Sequence, residues 1–310
     1  MASEPILAAF DLPVGKRNMF SDSKIWFDYF ALTKPEVNFL IVVTTFAGFY
    51  LGSASTWHDF PLLRSINAAL GTLLVASGTG ALNQYIERRF DAQMRRTSRR
   101  PLAAGRLNPE AVLGFGIVLS ALGTFYLAAT VNLLASLLAL ATLLSYLFLY
   151  TPLKRKSSLC TLVGALPGAM PPLIGWAAAT NRLSFGAWIL YSVLFLWQFP
   201  HFMAIAWMYR EDYGRAGYFV LPGNERAKAL FVNWQTLMPL LLLAPVSFLP
   251  ALTSKVSVLY YVGAVLLWAG FLYYGAQLVL QKSNSSARQL LTASIVYLPS
   301  LFTLMIVLRK

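Results

Sequence analysis

The sequence predicts an all-α, polytopic membrane protein: one bundle of nine transmembrane helices. Three observations predict it. Hydrophobic residues make up 57% of the 310 residues and charged residues only 12%, against about 25% charged in a soluble domain. Mean hydropathy is +0.60. The apolar residues also gather into nine stretches near the roughly 20 residues that a helix needs to cross a bilayer at 1.5 Å per residue. This composition excludes a disordered chain, a collagen-like fibre and a small disulfide scaffold. The single Cys160 excludes an internal disulfide and a Cys-based metal centre, and two histidines, His58 and His201, exclude a multi-histidine site. The net charge of +13 is read as basic loops that orient helices, with no nucleic-acid partner.

Taken in order, residues 1–30 carry Glu4, Asp11, Asp22 and Asp28 and no long apolar run. They read as a cytoplasmic tail without a secretory signal, ending in an interfacial stretch from Trp26 to Phe30. Residues 31–310 form the single helical domain. Its predicted spans are 37–53, 67–86, 110–130, 132–150, 159–179, 186–208, 231–251, 256–280 and 289–308. The third and fourth are one apolar stretch broken between Thr130 and Asn132, which predicts a tight helical hairpin. The fifth contains Gly164, Pro167, Gly168, Pro171, Pro172 and Gly175. It cannot be a regular helix throughout, because each proline removes a backbone donor and clashes with the preceding turn. Broken backbone at membrane depth is tolerated where protein buries it or a cavity adjoins it. Pro239, Pro245 and Pro250 disturb the seventh, where a simple kink suffices. His58, beside Trp57 on an outer loop, reads as surface.

Loop charge sets the orientation. Of the 25 Lys and Arg residues, twenty fall on the side of the N-terminus and five on the other. The positive-inside rule places the N-terminus in the cytoplasm and the C-terminus outside.

The acids are not scattered. Glu87 and Asp91 end the second span, and Glu211 and Asp212 end the sixth, all on the cytoplasmic side. Asn83, Glu87 and Asp91 follow an i, i+4, i+8 spacing that lines them along one helix face, about 6 Å apart in rise. Such a column of oxygens suits Mg²⁺, which takes one or two carboxylates and completes its shell with water or phosphate oxygens. The competing reading is that Glu87 and Asp91 simply pair with neighbouring arginines. A second acidic cluster on the same side favours the metal, and Asp212 joins Asn83, Glu87 and Asp91 as a candidate ligand. Arg96, Arg100, Lys154 and Arg155 then complete a diphosphate site, since guanidinium groups hold phosphate oxygens in bidentate pairs. Arg88, Arg89, Arg106 and Lys156 need no role beyond topology. The cavity so formed opens to the cytoplasmic side.

The sixth span carries Trp197-Gln198-Phe199-Pro200-His201-Phe202. His201 and Asp212 lie about 16 Å apart in rise on a continuous helix, too far to share an ion. A lone histidine in an apolar span is commonly an interhelix contact. Pro200, which frees a backbone carbonyl, and the nearby Gln198 favour a substrate-cavity role instead, with Trp176, Trp197, Phe199 and Phe202 as candidate walls.

These segments together resemble the UbiA-type intramembrane prenyltransferases, and within them the branch that farnesylates haem. That family's first motif has the form N-x-x-x-D/E-x-x-x-D-x-x-M-x-R-T-x-x-R-P-L, met here by Asn83, Glu87, Asp91, Met94, Arg96, Thr97, Arg100, Pro101 and Leu102. Thr33-Lys34-Pro35 resembles the approach to its first span. Tyr150-Thr151-Pro152-Leu153-Lys154-Arg155 and Pro171-Pro172-Leu173-Ile174-Gly175-Trp176 resemble its central block. Phe199-Pro200-His201-Phe202 and Tyr209-Arg210-Glu211-Asp212-Tyr213 resemble its second acidic region. The resemblance covers residues 30–225. Glu87 stands where Asp is common, Cys160 where Asn is expected, and the second region lacks a D-x-x-x-D pair.

The resemblance implies farnesyl transfer from farnesyl diphosphate to a vinyl group of haem B, with water addition, giving haem O and diphosphate with Mg²⁺ as cofactor. It implies catalytic roles for Asn83, Glu87, Asp91, Asp212 and His201, and substrate contacts from Arg96, Arg100, Lys154, Arg155, Gln198 and Glu211. It also implies residence in a bacterial inner membrane and a partner from the haem pathway or oxidase assembly. The alternatives are prenylation of a quinone precursor or chlorophyllide, and ion-coupled transport. Transport predicts ionisable groups near mid-membrane, whereas these acids cluster at one end.

Overall fold

A computed structural model describes residues 22–53, 59–252 and 257–308. His58 and most of the tail therefore lie outside the described residues. Among those described there is helix and no strand. A short helix α1 (Asp22–Leu32) precedes α2 (Pro35–Gly52), α3 (Leu62–Asp91), α4 (Pro109–Thr130) and α5 (Leu133–Leu144). A π-helical turn (Ser145–Tyr150) carries α5 into the single turn α6 (Thr151–Leu153). Then come α7 (Cys160–Gly168), α8 (Met170–Thr180), α9 (Phe185–Met208), the short α10 (Arg210–Arg215), α11 (Glu225–Phe248), α12 (Val258–Gln281) and α13 (Asn284–Val307). Nine stretches among the described residues are long and apolar enough to cross a membrane, counting α5–α6 and α7–α8 as one each. Phe39, Phe125, Phe148, Val258 and Leu280 are exposed around the bundle, as lipid-facing side chains are.

Small residues decide the closest helix contacts. A Cβ on Gly48 would overlap the Pro172 carbonyl, and one on Gly175 would overlap the Thr45 carbonyl, so α2 and α8 touch backbone to backbone. Gly78, Gly116 and Gly123 do the same between α3 and α4. In lipid, where apolar burial does not drive helices together, this close packing supplies much of the association. Gly175→Val should therefore force α2 and α8 apart and cost at least about 1–3 kcal/mol. A lower thermal midpoint and less monodisperse protein in detergent would register it; wild-type behaviour would show that the contact is loose.

The predicted hairpin is present. Asn132 caps α5 by accepting from the Ala135 amide at 2.8 Å, and its own amide donates to the Ala177 carbonyl at 2.8 Å, pinning the turn to α8. The fifth span breaks at Ala169 between α7 and α8. Pro171 and Pro172 fall in the first turn of α8, where a missing N–H costs nothing. In the seventh span the helix runs through Pro239 and Pro245 and turns 3₁₀ only at Leu249–Leu252.

Outside the spans, α1 is held by a bidentate pair: Arg106 donates from Nε to Asp28 Oδ2 at 3.0 Å and from Nη2 to Oδ1 at 2.9 Å. Its Trp26, Phe27 and Phe30 remain exposed, as an interfacial helix requires.

Candidate active site

The last turns of α3 carry the acids. The helix extends five residues past the predicted end of the second span and stays regular to Asp91. Asn83, Glu87 and Asp91 are all buried, with 1%, 5% and 1% exposure. Each meets a cation. Lys34 Nζ donates to Asn83 Oδ1 at 3.0 Å, Lys154 Nζ to Glu87 Oε1 at 2.8 Å, and Arg100 Nη1 to Asp91 Oδ2 at 2.7 Å. Asp91 Oδ1 is buried without a hydrogen-bond partner.

Three different segments deliver these cations. Lys34 sits in the left-handed region (φ 54°) at the start of α2, a conformation that costs a non-glycine residue energy. Arg100 comes from the turns after α3, which fold back because Thr97 Oγ1 donates to the Asp91 carbonyl at 2.9 Å. Lys154 follows the π-helical turn, which also brings in Tyr146, Tyr150 and Thr151. Asn83 Nδ2 donates to Thr151 Oγ1 at 3.3 Å, and Lys154 Nζ lies 4.5 Å from the centre of the Tyr150 ring. Burial pushes the Lys34 ammonium down to about 7, and the nearby charge of Arg100 adds to this. Burial also opposes the charge on Lys154, but the facing Glu87 carboxylate outweighs it and holds the group well above the usual lysine range.

The remaining predicted residues lie around or apart from this cluster. Arg155 sits 4.3 Å over the Phe90 ring. Arg96 sits 5.3 Å over Tyr209 and donates to the Tyr213 hydroxyl at 3.4 Å. Asp212 is buried but pairs with Arg215 at 3.0 Å, and Glu211 is exposed. A break at Tyr209 (φ −109°) separates α10 from α9, so Asp212 does not continue the helix that carries His201. Among the described residues no three of His, Cys, Asp and Glu converge as a metal group; Asp212 therefore does not join Glu87 and Asp91.

Gln198 contacts the backbone of the broken fifth span. Its Nε2 donates to the carbonyls of Ala165 at 3.1 Å and Leu194 at 3.2 Å, and its Oε1 lies where a Cβ on Gly168 would stand. The side chain braces the broken fifth span, where Gly168, lacking a Cβ, leaves room for it. His201 stacks on Trp197 at 4.7 Å, and its Nδ1 lies 2.8 Å from Ser294 Oγ. Ser294 already donates to the Leu291 carbonyl at 2.6 Å. The network therefore assigns the His201 proton to Nδ1 and leaves Nε2 with its lone pair.

A model of the UbiA prenyltransferase family matches residues 41–301. The chain belongs to the UbiA prenyltransferase family. It is 47% identical over 291 residues to a protoheme IX farnesyltransferase of Solibacter usitatus, spanning 91% of this chain and 98% of that one. It is 42% identical over 293 residues to a protein of the same name from Salinibacter ruber, spanning 91% and 98%. Among solved structures, a digeranylgeranylglyceryl phosphate synthase aligns with a TM-score of 0.74 at 17% identity, over 92% of this chain and 98% of that one. A UbiA homologue from Archaeoglobus fulgidus bound to GPP and Mg²⁺ aligns with a TM-score of 0.56 at 15% identity, over 90% and 99%. These structures share the fold.

Within this UbiA-family site, sequence reasoning assigned no role to Lys34, Thr151, Tyr146 or Ser294. Lys34 was detectable, since it stands in the Thr33-Lys34-Pro35 approach to the first span. Ser294 carried no signal, because an isolated serine in an apolar helix has no distinguishing spacing.

Proposed function

We propose that this UbiA-family chain transfers the farnesyl group of farnesyl diphosphate to a vinyl group of haem B, with addition of water, releasing diphosphate and haem O. The observation that carries the chemistry is the buried set of Glu87, Asp91 and Asn83 facing Lys154, Arg100 and Lys34. The relatives named protoheme IX farnesyltransferase support the choice of substrates.

The donor set fits Mg²⁺. Asp91 Oδ1 is a buried oxygen with no partner, and Mg²⁺ needs only one or two carboxylates when phosphate oxygens and water complete its shell. Asp91, Glu87 and Asn83 would hold it. Asp212 pairs with Arg215 through Oδ1 alone and would reach the ion only by moving toward the α3 acids. When bound, Mg²⁺ would neutralise charge growing on the departing diphosphate.

The chain's own cations share that task. Arg100 and Lys154 present positive charge where the diphosphate leaves, and Lys34 adds its charge when protonated, so they stabilise the transition state more than the bound substrate. Breaking the C–O bond leaves an allylic farnesyl cation. The haem vinyl group supplies the electron pair of the new C–C bond. The resulting macrocycle-stabilised cation is captured by water, which gives up a proton. Water must be kept from the first cation and admitted to the second. The Tyr146 and Tyr150 rings, 4.9 Å apart, wall the acid-bearing end. His201, oriented by Ser294 and Trp197, serves the haem side. His201→Ala should lower haem prenylation by at least about tenfold, the scale of losing one positioned group, while farnesyl diphosphate binding changes little. Equal loss of both would place His201 in packing alone.

In this reading the protein lies in a bacterial inner membrane with its basic end in the cytoplasm, and a haem-pathway or oxidase-assembly protein receives the product. The decisive experiment expresses the chain in cells lacking haem O synthase and analyses extracted haems. Haem O is expected. Haem B alone, with folded protein in the membrane, would overturn the assignment.

A further inference from the structure

One side chain at the acid cluster has no role in the scheme above. Tyr218 lies in the loop after α10 and is 6% exposed. Its ring packs 5.8 Å from Phe90 and 6.1 Å from Tyr213, beside Met94. Its hydroxyl is buried with no hydrogen-bond partner within 3.5 Å among the described residues, and the carboxylate it faces is that of Glu87.

The backbone holds it there deliberately from both sides. Gly217 adopts φ 70°, a left-handed turn that glycine takes without steric cost. The Tyr218 amide donates back to the Tyr213 carbonyl at 2.9 Å, and the next amide, of Phe219, donates to the Lys154 carbonyl at 2.7 Å. This is the left-handed close of a helix end, and it docks the loop on the turn that supplies Lys154. The phenol thus sits among Phe90, Glu87 and Asp91 on α3. As a phenol it is a proton donor at neutral pH.

A buried donor left unpaired is destabilising, and native structures rarely keep one without a use. Asp91 Oδ1, the unpartnered oxygen of the same cluster, is acceptor-only while ionised. The two orphaned groups belong to one site. We propose that Tyr218 is a diphosphate-binding residue whose hydroxyl donates to a phosphate oxygen of the prenyl diphosphate. The proposal rests on the prenyl-transfer reading above and adds a neutral donor to the cationic set. The choice of a phenol has a physical reason. A fourth cation here would pair with Glu87 and compete with Lys154, whereas a hydroxyl leaves the Glu87–Lys154 pair intact and strengthens its bond as charge grows on the leaving group.

The test is Tyr218→Phe, which keeps the ring and removes only the hydroxyl, in the full chain in detergent. Three quantities are read: the thermal midpoint without ligand, the affinity for inorganic diphosphate and for the unreactive farnesyl thiolodiphosphate with Mg²⁺, and kcat against KM. The expected result is a ligand-free midpoint equal to or above wild type, because an unsatisfied buried group has gone. Both affinities should weaken about fivefold or more, and kcat should fall about 10–100-fold, below the loss for a full oxyanion donor. A lower ligand-free midpoint with undiminished affinities would overturn the proposal and make the hydroxyl structural. Unchanged affinities and kcat would overturn it as well. The binding arms do not use haem. Loss of diphosphate binding in Tyr218→Phe therefore supports the assignment even if wild type makes no haem O, an outcome that would defeat the substrate reading alone.

Discussion

Replacing Asp91 with Asn is expected to lower kcat by roughly 10²–10³-fold, the scale seen when one preorganised group facing developing charge is removed. The carboxylate does two things that an amide cannot. Its Oδ2 accepts from Arg100 at 2.7 Å, and its Oδ1 is the buried oxygen without a partner. Asn keeps the shape, so the fold should survive, but it removes the charge that orders Arg100 and that a divalent cation would require. Glu87→Asp should be milder, because it preserves charge and only shortens the reach. Steady-state rates at varied farnesyl diphosphate and Mg²⁺ measure both. Full activity of Asp91→Asn in chelator-treated membranes would remove Asp91 from the reaction.

The second large effect is on stability. Lys154→Met should destabilise the protein by about 3–5 kcal/mol, the usual consequence of leaving one member of a buried ion pair alone. The exposures of the Lys154 and Glu87 side chains, 13% and 7%, put this pair in that class rather than with solvent-screened surface bridges. The double variant Glu87→Gln with Lys154→Met should recover most of the loss, since no charge is then stranded. Thermal or denaturant midpoints for the two single variants and the double give the coupling directly. Additive effects would mean that the two groups do not interact in the folded protein. None of the three variants should retain normal turnover, which separates this stability cycle from the function of the pair.

Much of the architecture was readable because membranes impose simple rules. Twenty apolar residues make a span, and proline density marks the broken one. The 3.6-residue period was enough to place Asn83, Glu87 and Asp91 on one face of α3, where the structure has them. Periodicity does not extend past a chain break, however. The turn at Tyr209 sends Asp212 to Arg215 instead of to the α3 acids. Gln198, a polar group in an apolar span, reads from the sequence as a candidate cavity residue. The brace it also forms depends on the Ala165 carbonyl of α7, 33 positions earlier in the chain.

What the sequence by itself determined is therefore local and periodic: the spans, the hairpin at Asn132, the break in the fifth span, and the gathering of acids and bases at one end. Only the tertiary structure decided which cation answers which acid. Lys154 and Glu87 are 67 residues apart, Lys34 and Asn83 are 49, and His201 and Ser294 are 93. Charge and hydropathy state that such groups need partners once water is excluded. They do not say which, because several lysines and arginines of equal charge were available. Helix packing made the choice, through glycines that let α2 and α8 touch and a π-helical turn that carries Lys154 to Glu87.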